Sequence, residues 1–388
     1  MKQTLILALI AIFFLSCKYK QVSETGNSTE NNRPKITLTD QKASKETIEL
    51  YNKLTALQGK GIMLGHQDDL AYGHSWYNEP NRSDVHDVTG KYPAVIGWEI
   101  GHIEIDAEYN LDSVYFHNIK RYIKEAHNRG TINTISWHCD NIVTRNDSWD
   151  SGQNYVVKSI LPEGENHKEY LLWLDRVADF ILDLKDEKDN FIPVVFRMFH
   201  EQSGGWFWWG NQQCTPEEFK QLWIMTVQYL RDNCNVHNIL YAFSPSEIRD
   251  IDHYLERYPG DEYVDIIGFD CYAYGENEVF SPEEMEKVIA KYQDALCHNL
   301  DIICSYASES GKIPAITETG VERIPYPGFF SEVLYPTIKD YRFSYILFWR
   351  NAYNKPSHYY LPYQGSNNEE DFRNFVAQPD ILMAEDIQ

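Results

Sequence analysis

His200 and Glu201 stand at the end of an apolar, β-branched run (192–199) and are followed by Gln202-Ser-Gly-Gly205 and then by Trp206, Trp208 and Trp209. A carboxyl group at a strand end, beside flat aromatic faces, suits work on sugars. Sugar rings present apolar C–H faces that stack on indoles, and their hydroxyls are read by His, Asn, Asp and Arg. A second carboxyl, Glu318, ends another such run at 313–317. Hydrolysing a glycosidic bond takes a proton donor to the leaving oxygen and a second carboxylate at the anomeric carbon. Glu201 reads as the acid/base, its pKa raised by apolar neighbours and a nearby negative charge. Glu318 reads as the nucleophile. Their expected separation is that of a retaining enzyme, roughly 5 to 5.5 Å. Three tryptophans within four positions, after glycines in a loop, are hard to bury together. Trp206 is assigned to the site, while Trp208 and Trp209 stay open between sugar subsite and scaffold.

Other chemistries find no support. A helical zinc hydrolase needs His-Glu-x-x-His, but position 204 is Gly and the segment reads as strand. The Gly-x-Ser-x-Gly elbow of serine hydrolases and the Gly-x-x-x-x-Gly-Lys loop of phosphate chemistry do not occur where a strand meets a helix. No metal or cofactor is expected. A net charge of -23 argues against nucleic acid, which requires basic patches, and fits an uncharged partner.

These groups need a frame. Short apolar runs recur at 61–65, 93–98, 132–137, 192–199, 239–243, 264–269, 313–317 and 345–349. Near-continuous hydrophobicity is what a parallel strand covered on both faces requires. Amphipathic segments at 111–128, 168–184, 216–233 and 282–297 predict helices between them. Eight strands alternating with helices predict an α/β fold of the (β/α)8 barrel type in a single catalytic domain. An open doubly wound sheet is disfavoured because no Gly-x-Gly-x-x-Gly turn follows a strand. Barrel chemistry gathers at the C-terminal strand ends. Those ends carry His66-Gln-Asp-Asp69, Trp98-Glu99, Trp137-His138, His200-Glu201, Asp270-Cys-Tyr272, Glu318-Thr-Gly320 and Trp349-Arg350-Asn351.

The start of the chain reads differently. Residues 1–16 carry Lys2 and a short apolar run, too short to span a bilayer comfortably, and read as a secretory signal. Phe14-Leu-Ser-Cys17 resembles a bacterial lipobox, so Cys17 is expected to carry lipid, the chain's one link to a membrane. Residues 17–35 are polar and read as a tether. The globular part is expected over 36–388. Lys18-Tyr-Lys20, in place of acidic residues, points to a periplasm-facing anchor in a Gram-negative envelope. Setting Cys17 aside leaves six cysteines and no Cys-x-x-Cys. Cys139 and Cys271 are expected to be buried, and pairing among Cys214, Cys234, Cys297 and Cys304 stays open.

On Arg197-Met-Phe-His-Glu-Gln-Ser-Gly-Gly-Trp206 and Ile316-Thr-Glu-Thr-Gly320, supported by Gly97-Trp-Glu99, Trp137-His138 and Phe348-Trp349, the chain resembles glycoside hydrolase family 26. That family is dominated by retaining endo-β-1,4-mannanases with the (β/α)8 fold. The resemblance implies Glu201 as acid/base and Glu318 as nucleophile. It places His138, His200, Trp206, Tyr272, Trp349, Trp149 and Arg197 at the substrate. Within that set, Tyr272 would bond the nucleophile and Trp349 would lie under the sugar that is attacked. Asp270, Glu99 and His66 carry no assigned role. The implied partner is β-mannan or galactomannan, met by a monomer. Mixed-linkage β-glucan and β-1,3-xylan are alternatives within the same mechanism. A non-catalytic glycan-binding protein is a further alternative, disfavoured because binding alone does not require both Glu201 and Glu318. The long segments at 67–92 and 139–167 are expected to narrow the cleft and favour short products such as mannobiose.

Overall fold

The computed structural model describes residues 38–246, 248–274 and 281–388. The expected signal, lipid site and tether lie outside the described residues. Eight strands run in the order β1 (Ile62–Gln67), β2 (Val95–Glu99), β3 (Ile132–Trp137), β4 (Val194–Met198), β5 (Ile239–Phe243), β6 (Ile266–Tyr272), β7 (Ile313–Gly320) and β8 (Tyr345–Phe348). Each pairs in parallel with the next, and β8 pairs with β1, so the sheet closes on itself as a (β/α)8 barrel. A short ninth strand, β9 (Ile381–Leu382), joins β1 at the N-terminal rim.

Every residue of these eight strands is buried, because one side faces the barrel interior and the other faces helices. Met63, Val95, Val195, Leu240, Ile266, Ala315, Tyr345 and Leu347 fill the lower interior, and Leu50, Leu54 and Leu57 of the helix Lys45–Leu57 join the same cluster. The upper interior is polar, so the apolar plug supports a charged floor. Outside, helices bury one stripe each. In Phe116–Asn128 the stripe is Ile119, Tyr122, Ile123 and Ala126, at helical spacing.

Helix starts follow their caps. Thr215 with Glu218, and Ser281 with Glu284, form capping boxes followed by proline at the start of Pro216–Gln228 and Pro282–Ser310. Two predicted helix bounds move by more than a turn. The expected helix from 111 begins instead at Phe116. The Asn110 side chain accepts from the backbone N–H groups of Asp112 (3.0 Å) and Val114 (2.9 Å), folding 110–114 into a turn. The helix expected over 282–297 runs on to Ser310, where Gly311 in the left-handed region ends it.

Candidate active site

β6 and β7 set Glu318, the expected nucleophile. Along their ladder Phe269 pairs with Ile316 but Asp270 pairs with Glu318, so Thr317 is an extra residue, a β-bulge. Strand side chains alternate, and Thr317 already points inward, its hydroxyl donating to Asp270 (2.8 Å). The bulge lets Glu318 point inward as well. Arg197, one turn of the pleat beyond Val195 on β4, lies 1% exposed in the interior. Its guanidinium donates to Asp270 (2.9 Å) and to Glu318. Tyr272 donates its hydroxyl proton to the other oxygen of Glu318 (2.7 Å). Both Glu318 oxygens are thereby held as acceptors, which fixes the carboxylate's plane.

Glu201 sits in the turn just beyond the end of β4. Phe199 (φ 48°) and Glu201 (φ 54°) both occupy the left-handed region, strained for residues with a Cβ. The Glu201 N–H donates to Ser244 (2.7 Å) and Gly204 N–H donates back to Glu201 (2.8 Å), so neighbouring backbone holds that conformation. A Cβ at Gly204 would lie 2.2 Å from the Trp206 ring, so only glycine lets the indole fold over the turn. There Trp206 Nε1 donates to Glu201 Oε2 (2.7 Å). Burial, then the charge of Glu318, raise the Glu201 pKa to about 7 against the pull of Trp206 and Arg197.

One carboxylate oxygen each from Glu201, Asp270 and Glu318 lie within 4.8 Å of one another. That separation is short for two carboxyl groups across a barrel mouth. An inverting pair needs roughly 6.5 to 9.5 Å, so the geometry is that of a retaining pair. Three carboxylates could in principle grip a cation, but Arg197 already supplies the positive charge to two of them.

A second group lies beside the pair. Glu99, at the end of β2, accepts from His138 Nδ1 (2.6 Å), His138 N (2.9 Å) and Ser136 (2.7 Å). Burial opposes charge on His138, but Glu99 outweighs it and the His138 pKa is raised. His138 stacks on Trp149 (5.1 Å between centroids, 16° between planes), meets His200 edge-on (4.4 Å) and lies 6.1 Å from Trp349. Trp149 is 47% and Trp206 43% exposed, so both keep ring surface open to solvent. His200 is buried, and burial with the Arg197 charge lowers its pKa well below the ordinary value, keeping the imidazole neutral. Phe207 packs between His200 and Trp149.

One expectation is corrected and two readings left open are resolved. Arg197 is too deeply enclosed to meet substrate and instead orients Glu318 and Asp270. Trp208 and Trp209 are fully buried, donating to the backbone carbonyls of Cys139 (3.0 Å) and His200 (2.8 Å). They are scaffold, and two of the three neighbouring tryptophans do bury together because each indole N–H finds a carbonyl. His66 points away from the interior and pairs with Asp69 (2.6 Å) in the helix layer. Cys139 and Cys271 are buried as expected, and Cys214, Cys234 and Cys304 are free thiols.

The sequence reading passed over one cluster at the mouth. Arg350, directly after Trp349, pairs with Asp112 (2.8 Å) and donates to the Tyr72 hydroxyl (3.3 Å). Tyr72 donates in turn to Asp68 (2.8 Å). Burial, then the neighbouring Asp112, push the Asp68 pKa to about 8. Asp68 and Arg350 were visible at strand ends, but Asp112 fell inside an expected helix and gave no signal.

The glycosyl hydrolase family 26 model matches residues 39–333. A mannan endo-1,4-beta-mannosidase of Bifidobacterium adolescentis is 32% identical over 384 residues, covering 92% of this chain and 36% of the relative. One from Bacillus subtilis is 28% identical, covering 52% of this chain and 56% of the relative. The chain thus spans between about a third and just over half of these curated relatives. Among solved structures, a family 26 β-mannanase of Bacteroides ovatus superposes with a TM-score of 0.83 at 42% identity, covering 88% of this chain and 96% of that one. A modular endo-β-1,4-mannanase of Cellulomonas fimi gives 0.80 at 32% identity, covering 91% and 79%.

Proposed function

The chain belongs to glycosyl hydrolase family 26, and on that footing we propose that it is a retaining endo-β-1,4-mannanase acting on mannan and galactomannan. The observation that carries the mechanism is the placement of Glu201 and Glu318 oxygens within 4.8 Å, one group partly buried and the other clamped by Arg197 and Tyr272. Glu318 attacks the anomeric carbon while Glu201 gives its proton to the leaving oxygen. The resulting ester has no charge on Glu318. One of the two causes holding the Glu201 pKa up is then gone, so Glu201 becomes a carboxylate able to take a proton from water. Water attacks from the side the leaving group vacated, and configuration is retained.

The substrate follows from the curated and solved relatives, which are named as mannanases. Reducing-sugar release from locust-bean gum by wild type, Glu201→Ala and Glu318→Ala tests the reading. Both variants are expected to lose at least roughly a thousandfold in rate. Binding without sugar release by wild type would instead indicate a glycan-binding protein. Faster cleavage of mixed-linkage glucan or β-1,3-xylan would move the substrate and keep the mechanism.

The finer reading is a monomer held by lipid on Cys17, facing the periplasm and releasing short products such as mannobiose. The length of the segments at 67–92 and 139–167, the first of which folds a hairpin of Tyr72–Gly73 with Trp76–Tyr77, supports the last point. Cys17→Ser should move the protein from the membrane to the soluble fraction, and proteinase added to intact cells should leave the wild type uncut. Long oligosaccharides at early times would refute the product assignment.

A further inference from the structure

Glu104 is a buried acid with no part in the carboxylate pair. It lies on the segment after β2, in the short turn Ile103–Ile105, between two non-glycine residues in the left-handed region, His102 (φ 78°) and Asp106 (φ 61°). Such conformations are strained and mark a constrained segment. The Glu104 side chain is fully buried and reaches under the end of β3. There Oε2 accepts from Trp137 Nε1 (2.9 Å) and Oε1 accepts from the backbone N–H of Asp140 (2.6 Å). The two donors stand on either side of His138 and Cys139. Arg176, on the helix His167–Leu182, donates to the Glu104 carbonyl and so holds the acid's own backbone. The remaining residues of the turn after β3 are tied as well. Glu99 accepts from the His138 N–H (2.9 Å), and Trp208 donates to the Cys139 carbonyl (3.0 Å). Asn141 accepts from the N–H groups of Val143 (3.0 Å) and Thr144 (3.2 Å) and donates to the Asp150 carbonyl (2.7 Å). That folds the loop back and brings Trp149 onto His138. Burying a carboxylate is costly, and among the described residues no cation pairs with this one. What a carboxylate supplies here is an acceptor at both oxygens. A neutral amide in its place would set an N–H2 group against one of the two N–H donors.

We propose that Glu104 is a positioning residue for the cleft wall formed by His138 and Trp149. By gripping the turn after β3 at residues 137 and 140, it sets how that stacked pair stands against Glu201 and Glu318. The inference rests on the mannanase reading, with His138 and Trp149 at the sugar. Glu104 touches no reacting atom and acts through the turn. Its loss should weaken sugar binding and leave the chemical step nearly unchanged. Glu104→Gln keeps the shape of the side chain and breaks one of its two bonds without emptying space.

The test is steady-state hydrolysis of soluble galactomannan at pH 8, above the Glu104 pKa of about 7, where the acid is ionised. In Glu104→Gln, KM should rise on the order of tenfold while kcat changes by less than about twofold. Trp137→Phe removes one donor and keeps an aromatic ring in the core. It should raise KM by a smaller factor, and it carries the test if Glu104→Gln does not fold. Adding Trp149→Ala to Glu104→Gln should raise KM little further than Trp149→Ala alone, because both act on one wall. An unchanged KM in Glu104→Gln or in Trp137→Phe, with kcat and kcat/KM lowered alike, would mean a merely structural role and overturn the proposal. Fully additive losses in the double variant would overturn it too, because Glu104 would then act independently of Trp149. If wild type cleaves no galactomannan, the failure lies in the underlying mannanase reading.

Discussion

Burial, then the Glu318 charge, raise the Glu201 pKa to about 7, which suits the acid/base role proposed for it. An acid that must be protonated to act loses activity as pH rises through its pKa, so kcat/KM should decline on the alkaline side of about 7. Trp206 opposes the shift by donating to the carboxylate. Trp206→Phe removes that donor, disfavours the charged form, and should move the alkaline limb to higher pH by about one unit, the worth of a hydrogen bond to a charged group. A pH–rate profile on soluble mannan reads this directly, and a limb that stays or moves down would contradict the assignment. Arg197 carries a heavier load. Arg197→Ala would leave Asp270 and Glu318 buried without their cation, a loss on the order of 3 to 5 kcal/mol. Urea unfolding should record it, together with near-complete loss of activity.

At the scale of elements, the barrel was readable in sequence because each strand is buried on both sides and must be almost wholly apolar. Glu318 and Glu201 were readable for a related reason: a carboxyl directly after such a run has no other fate than the barrel mouth. What sequence hid was local backbone competition. The bulge at Thr317 has no compositional mark, since Thr suits a regular strand equally well. The Asn110 turn replaced a helix start because one side-chain amide satisfied two backbone N–H groups that helix formation would otherwise claim. The burial of Trp208 and Trp209 depended on carbonyls supplied by distant loops. The same kind of long-range tie joins the segments after β1 and β8. Asp84 accepts from Trp76 Nε1 (2.7 Å), the backbone N–H of His74 (2.7 Å) and the Asn351 amide (2.8 Å). Asp84→Ala strands those donors and should cost about 2 to 4 kcal/mol. Limited proteolysis should then cut within 72–84 faster than in wild type, with early products becoming longer.

For the whole molecule, several buried acids hold protons at pH values where an unfolded chain has lost them. Burial raises Asp68 to about 8 and Glu104 to about 7, the latter against donors from Trp137 and Asp140. The unfolded carboxyls titrate near 4. The folded state therefore binds more protons than the unfolded state between about pH 4 and 8, and stability falls as pH rises through that window. The urea midpoint should be lower at pH 8 than at pH 5.5, and Glu104→Gln should narrow the difference. A midpoint rising with pH would contradict these assignments. The closure of the barrel has a consequence of another kind, in time rather than in energy. Met63 pairs with Tyr345, and Ile62 with Ile381. No subset of strands made early in synthesis can shut the cylinder, and the first strand keeps a bare edge until the last segments arrive. Such distant pairings fold slowly and leave sticky edges open meanwhile. A half-finished chain must wait unclosed, which favours a folding partner that shields β1 until β8 and β9 reach it.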